Sequence, residues 1–248
     1  MVLMKKVLCI LALVFAMSLT ACGSGSTGST TSVSSTGGDD PRTTATQTDA
    51  PSQPEEAILS LVESFDATEV DGFDFSSKQT LNDTIVNQHT VSVRLDKTNG
   101  TVASRVERRK RLNEDFSGEQ FTETETASYY QNGRIATQKD GGWIWANGSL
   151  NDFISVKTDG LKFDLSALHD VTPTTNDNET VLTFRIADKD AASFLGVSQP
   201  IKDLSFEIKA DVAGQKLISF TMRYSQELTS TEFRLIPYSG NANITLPD

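Results

Sequence analysis

Two stretches near the C-terminal end leave this chain few ways to fold. Leu204, Phe206 and Ile208 alternate with Ser205, Glu207 and Lys209, and Ile218, Phe220, Met222 and Tyr224 alternate with Ser219, Thr221 and Arg223. Successive side chains of a strand point to opposite faces, so this period of two writes one apolar face and one wetted face on each strand. The same period begins at Phe73 and Phe75 and runs on through His89, Val91, Val93 and Leu95, which alternate with Thr90, Ser92 and Arg94. Asn99-Gly100 follows. Asn132-Gly133 then comes after Ser128-Tyr129-Tyr130, and Asp140-Gly141 comes before Trp143-Ile144-Trp145. These dipeptides tolerate positive φ at both positions, as tight hairpin turns demand. With Val102–Leu112 as a returning strand, the first half of the folded part is expected to be an antiparallel meander. Val181–Ile186, Glu232–Ile236 and Asn243–Leu246 supply further strands.

Helical signals are few. Pro54 suits a first helical position, Glu55 and Glu56 suit the positive end of the dipole, and Ile58, Leu61, Val62 and Phe65 recur at helical spacing. Between Asn147 and Val171, Leu150, Phe153 and Ile154 suggest one short helix, and Leu165 and Leu168 a second. Ala191, Ala192, Phe194 and Leu195 make another, closed by Gly196. One-faced strands in this number need their apolar side covered, and so little helix covers it only if the sheet curls. The expected fold is therefore α+β: a curved antiparallel sheet, a half-barrel, with an N-terminal amphipathic helix and short helices over its concave face. That geometry leaves an apolar hollow.

The N-terminal segment reads differently. Lys5 and Lys6 precede thirteen almost wholly apolar residues, Val7 to Leu19, and then Leu19-Thr20-Ala21-Cys22. This is the pattern of a secretory signal, too short for a membrane span of about 20 residues. Leu19 to Cys22 resembles the lipobox of bacterial lipoproteins, which implies removal of residues 1–21 and acylation of Cys22. Two or three acyl chains, at about 0.8 kcal/mol per buried methylene, anchor stably where one would not. From Gly23 to Gln53 Ser, Thr and Gly dominate, and Val33 is the one large apolar side chain, so residues 22–53 are expected to be a flexible tether. Its 31 residues span roughly 30 Å in root mean square. Residues 54–248 then make one domain.

The only cysteines are Cys9 and Cys22, so the exported domain has no thiol for a disulfide, a metal or catalysis. The chain holds 22 basic and 33 acidic residues; without Lys5 and Lys6 the balance is 20 against 33, a net −13. That charge argues against nucleic acid as a partner.

Taken together, the lipobox, the tether, the N-terminal helix, a meander holding Tyr129-Tyr130-Gln131-Asn132-Gly133 and Gly142-Trp143-Ile144-Trp145, and the ending Ile244-Thr245-Leu246-Pro247 resemble the LolA-like superfamily. Its members include lipoprotein-localisation factors and the LppX and LprG lipid-carrying lipoproteins. The resemblance covers about Pro54 to Asp248 and is one of layout. It implies a half-barrel whose concave face accepts acyl chains, and it brings no catalytic residues.

Among candidate site residues, Trp143 and Trp145 share one strand face, and Tyr129 lies near them in the meander. Ordinary core packing is the default for such aromatics, and a ligand-lining wall is the functional reading. His89 falls on an apolar face, and His169 adjoins Asp170. There is no nucleophile elbow and no H-x-x-x-H or H-E-x-x-H spacing, so neither a hydrolase triad nor a zinc site is indicated, and no enzyme, metal or cofactor is expected. Arg105, Arg108, Arg109, Lys110 and Arg111 form one basic run. It reads first as a solvated face paired with Glu107, Glu114 and Asp115, and second as a dock for anionic headgroups. Asn176-Asp177-Asn178 lacks the spacing of a calcium loop. The expectation is a monomeric lipoprotein on the extracytoplasmic face of the cell membrane that binds or carries a lipid or other hydrophobic molecule. The alternative is a surface interaction or structural lipoprotein with a solid core.

Overall fold

Hairpin turns set the frame. In the computed structural model, which describes residues 54–98, 100–113, 121–154 and 161–248, Asn132 and Gly133 take φ of 46° and 84°, and Asp140 and Gly141 take 52° and 82°. Asn82 and Asp83, at 48° and 63°, make the same kind of turn without a glycine. These turns make three of the connections in a first meander of β1 (Gly72–Leu81), β2 (Thr84–Asp96), β3 (Val102–Leu112), β4 (Phe121–Gln131), β5 (Arg134–Lys139) and β6 (Gly142–Asn147). A second meander comprises β7 (Leu168–Asn176), β8 (Glu179–Ile186), β9 (Lys202–Asp211), β10 (Lys216–Gln226) and β11 (Thr229–Tyr238). Pairing of β1 with β11 joins the two into a single antiparallel sheet of eleven strands, open, with β6 and β7 at its edges. The expected signal segment, Cys22 and the tether lie outside the described residues, as do Asn99, Glu114 and Asp115.

Helices are short and few. In α1 (Pro54–Glu63) the first turn carries Glu55 and Glu56, while Ile58, Leu59 and Val62 are buried against β9 and β10. In α2 (Leu150–Ile154) the Ser149 hydroxyl donates to Asp152 Oδ2 at 2.6 Å and accepts from the Asp152 N–H at 3.1 Å, closing the first turn. The third helix, α3 (Asp188–Leu195), stops at Gly196, whose φ of 66° lets its N–H return to the carbonyls of Ala192 and Ser193. Buried residues of α1, α2, α3 and nine of the strands form one hydrophobic cluster. Its densest part is aromatic: Phe206 stacks on Phe184 at 4.8 Å between ring centres and meets Phe163, Phe194 and Phe220 within 6.0 Å.

Two expectations are corrected. Leu165 opens a single 3-10 turn, Leu165–Ala167, but Leu168 begins strand β7 instead of continuing a helix. As an edge strand, β7 is largely exposed and can carry Pro173, so it has almost no apolar alternation to read. Asn243–Leu246 forms no strand. The preceding strand, β11, is already flanked by β1 and β10, so the tail finds no free edge beside it.

Candidate functional site

Register decides which side chains share the core's side of the sheet. Phe73 and Phe75 on β1 face Val93 and Val91 on β2, and Ser77 faces His89. Continuing across, Leu95, Val93, Val91 and His89 face Ala103, Arg105, Glu107 and Arg109 on β3. Arg105 and Glu107 then face Ser128 and Thr126 on β4, and Ser128 faces Thr137 on β5. The inner face, apolar from β8 to β2, thus turns charged and hydroxylated from β3 to β5. The basic run is split by the same alternation. Arg108 and Lys110 point to the outer face, where they pair with Glu125 and Glu123 across β4, whereas Arg105 and Arg109 point inward with Glu107.

Glu107 is the centre of this inner network, its side chain only 15% exposed. Its Oε1 lies 2.9 Å from His89 Nε2 and accepts from Arg109 Nε at 2.8 Å, with Arg109 Nη2 also donating. Its Oε2 accepts from Arg105 Nη2 at 3.1 Å, and Arg105 Nη1 donates to the Phe153 carbonyl of α2 at 2.9 Å. Foremost through the His89 hydrogen bond, and further through Arg109 and the charges of Arg105 and Arg109, the carboxyl is held down to about 2 from an ordinary 4.5, although burial opposes this. An ionised carboxylate only accepts, so at neutral pH the proton of this contact sits on His89 Nε2. The histidine is buried, with the Phe75 ring edge-on at 6.4 Å. Ser77, His89 and Glu107 are therefore neighbours across three strands, a grouping that strand pairing creates and linear spacing hides. Ser77 and His89 are both buried.

Beside this network lies a cavity of about 630 Å³. Its floor is Arg105, Glu107, Thr126, Ser128 and Thr137; Ile135 and Phe153 add apolar surface, and Asp152 and Asp140 stand at its margin. A volume of this order suits a small ligand. It is not the apolar hollow under the N-terminal helix that the strand count implies. There, Ile58 and Val62 are no more than 1% exposed and sit in the core cluster. The cavity borders the core at Phe153, whose ring meets Tyr130 at 6.0 Å.

Tyr129, Trp143 and Trp145 come together, but on the other side of the sheet. Tyr130 and Ile135 are core-facing partners, so Tyr129, Ala136 and Trp145, one residue out of phase, share the outer face. The Tyr129 and Trp143 rings meet edge-on at 5.2 Å, Arg134 lies 5.6 Å from the Trp145 ring, and Ala136 beneath is fully buried. The trio does not line the cavity. Sequence reading missed Glu107 as a site residue because an Arg-Val-Glu-Arg-Arg string resembles a wetted strand. The parity of His89 with Val91 and Val93, carried across the hairpin, was the available signal. Among the described residues no group of His, Cys, Asp and Glu is placed to hold a metal, and no helix is long and apolar enough to cross a membrane.

No family model matches the sequence, and no curated protein matches it. Among solved structures, LprF from Mycobacterium bovis superposes with a TM-score of 0.37 at 13% identity, covering 79% of this chain and 97% of that one. The hypothetical protein CT021 from Chlamydia trachomatis gives 0.26 at 9%, covering 77% and 97%. A β-barrel-like protein of a domain of unknown function from Brucella abortus gives 0.16 at 9%, covering 68% and 97%. None reaches 0.5, so the functional proposal rests on this chain's own residues.

Proposed function

We propose that this chain is an extracytoplasmic binding lipoprotein, held to the membrane through Cys22, whose curled sheet takes an amphiphilic ligand in the cavity over β3, β4 and β5. One observation carries the reading: the inner face changes from apolar to polar at β3, and the cavity of about 630 Å³ opens at that border. A ligand there meets hydroxyls and the Arg105–Glu107–Arg109 network as well as the apolar surface of Phe153 and Ile135. That lining suits a molecule with a polar end and a hydrophobic body better than a bare hydrocarbon.

The test is to purify the acylated protein, extract it and identify co-purifying small amphiphiles by mass spectrometry, beside a Ser128→Trp variant that fills the cavity. Loss of the ligand by at least about tenfold, or 1.4 kcal/mol, is expected in the variant at an unchanged melting temperature. Retention of the same ligand by a folded Ser128→Trp protein would refute the site.

A second reading has its own support. The apolar half of the inner face is already filled by Ile58, Val62, Leu204 and the phenylalanine cluster, as a solid-cored interaction or structural lipoprotein requires. In that case no small molecule co-purifies, and capture of a protein or envelope polymer is indifferent to Ser128→Trp.

A further inference from the structure

Neighbouring hairpins at one end of the sheet carry exposed leucines, Leu228 at 76% and Leu81 at 36%. Three large apolar side chains are exposed among the described residues: Leu81, Ile144 and Leu228. Leu81 ends β1 and faces Thr229 at the start of β11. Leu228 immediately precedes Thr229 in the two-residue turn from β10 to β11 and is 76% exposed. The two leucines therefore stand on adjacent tips. Asn82, Asp83 and Glu227 all have positive φ, so both tips are tight turns. Turn positions favour Gly, Asn, Asp and Ser for backbone reasons. A leucine at such a position, with three-quarters of its surface in water, gains nothing from local structure.

We propose that Leu81 and Leu228 form a docking tip that inserts into the headgroup and acyl boundary of the membrane to which the chain is anchored. This rests on the reading of Cys22 and residues 23–53 as anchor and tether. On that reading a tether of 31 residues holds the domain at a root-mean-square distance of roughly 30 Å from its anchor. The resulting local concentration, of millimolar order, makes even a two-leucine contact effective. Leu228 on its turn and Leu81 at the strand end beside the next turn stand at the extremity of the sheet, where a fluid bilayer receives them without a matching pocket. Asp83 and Glu227 flank them, so the contact is apolar insertion and does not depend on anionic lipid. Docked this way, the sheet stands with its opposite end, the β9–β10 turn, roughly 35 Å farther from the lipid at about 3.4 Å per residue of β10.

The experiment uses the full acylated protein in phosphatidylcholine vesicles. In the acylated protein the sole thiol is the one introduced by Leu81→Cys, by Leu228→Cys or, as the distant control, by Ala213→Cys on the β9–β10 turn. Each carries an environment-sensitive fluorophore, and bromine-labelled acyl chains serve as the quencher. Quenching at positions 81 and 228 is expected to exceed that at 213 by about threefold or more, with an emission shift to the blue. Equal quenching at all three positions, in protein that floats with the vesicles, overturns the docking tip and leaves the anchor intact. Failure to float overturns the anchor reading and the docking with it. Protection of position 228 that appears only on adding envelope protein overturns the bilayer in favour of a protein partner.

Discussion

Replacing Phe206 by alanine is expected to cost about 3–5 kcal/mol of folding stability, the range for truncating a well-packed core aromatic. Phe206 is 3% exposed and stacks on Phe184 with the planes 15° apart. It also touches Phe163, Phe194 and Phe220, so it links strands β8, β9 and β10 to α3 and to the segment before β7. Removing it opens a cavity that four rings cannot collapse into without leaving their preferred offset and edge-on contacts. Equilibrium denaturation of Phe206→Ala beside the parent measures this directly. A loss below about 1 kcal/mol would mean that this part of the core is loosely packed.

Glu107→Ala is expected to lower stability by about 3 kcal/mol, because it leaves Arg105 and Arg109 side by side without their shared carboxylate. Arg105, 14% exposed, cannot turn fully to water while its guanidinium is held at the Phe153 carbonyl. Pairing Glu107→Leu with Arg105→Met should recover much of the loss, since a buried ion pair and a well-packed apolar pair are often equivalent. The acid limb gives a second measure. A carboxyl whose folded value is about 2 and whose ordinary value is 4.5 contributes stability that is complete above 4.5 and is lost as pH falls through 2. The parent should therefore lose stability steadily between pH 4.5 and 2. Glu107→Gln should start lower at neutral pH and fall less steeply over that interval. Parallel acid profiles for parent and Glu107→Gln would show that the contact contributes little.

How far these features could be read in advance depended on what each residue's neighbours on other strands supply. Asn132-Gly133 and Asp140-Gly141 act through their own backbone, and they mark the turns where they stand. Alternation on β9 is likewise local, because each of its faces meets one environment: Leu204, Phe206 and Ile208 are buried, and Ser205, Glu207 and Lys209 between them are less so. On β10 the pattern is blurred from Ile218 to Met222. A register shift lies there, and Ser219 and Thr221 are buried on the outer face. β7 was hidden because an edge strand needs no apolar stripe, and Thr172, Thr174 and Asn176 give none. The cavity was hidden for a subtler reason. Strand parity says that Arg105, Glu107 and Arg109 share a face, but only the pairing Val91 to Glu107 says that this face looks inward. The outer-face position of Tyr129 and Trp145 follows from the same counting, through Ala136.

The seam between β1 and β11 has a consequence for the order in which the molecule can be assembled. Gly72 pairs with Tyr238 and Leu81 with Thr229, so the middle of the sheet is built from the two strands farthest apart in sequence. Pairing of that kind carries a large loop-closure penalty and slows folding relative to nearest-neighbour hairpins. A nascent chain emerging N-terminus first can zip β1 to β6 and later β7 to β10, yet Phe73 and Phe75 keep a bare flank until the last ten-residue strand arrives. Completion is thus a late, all-at-once event. Chains cut short before Thr229 should be the ones that proteases and chaperones recognise first.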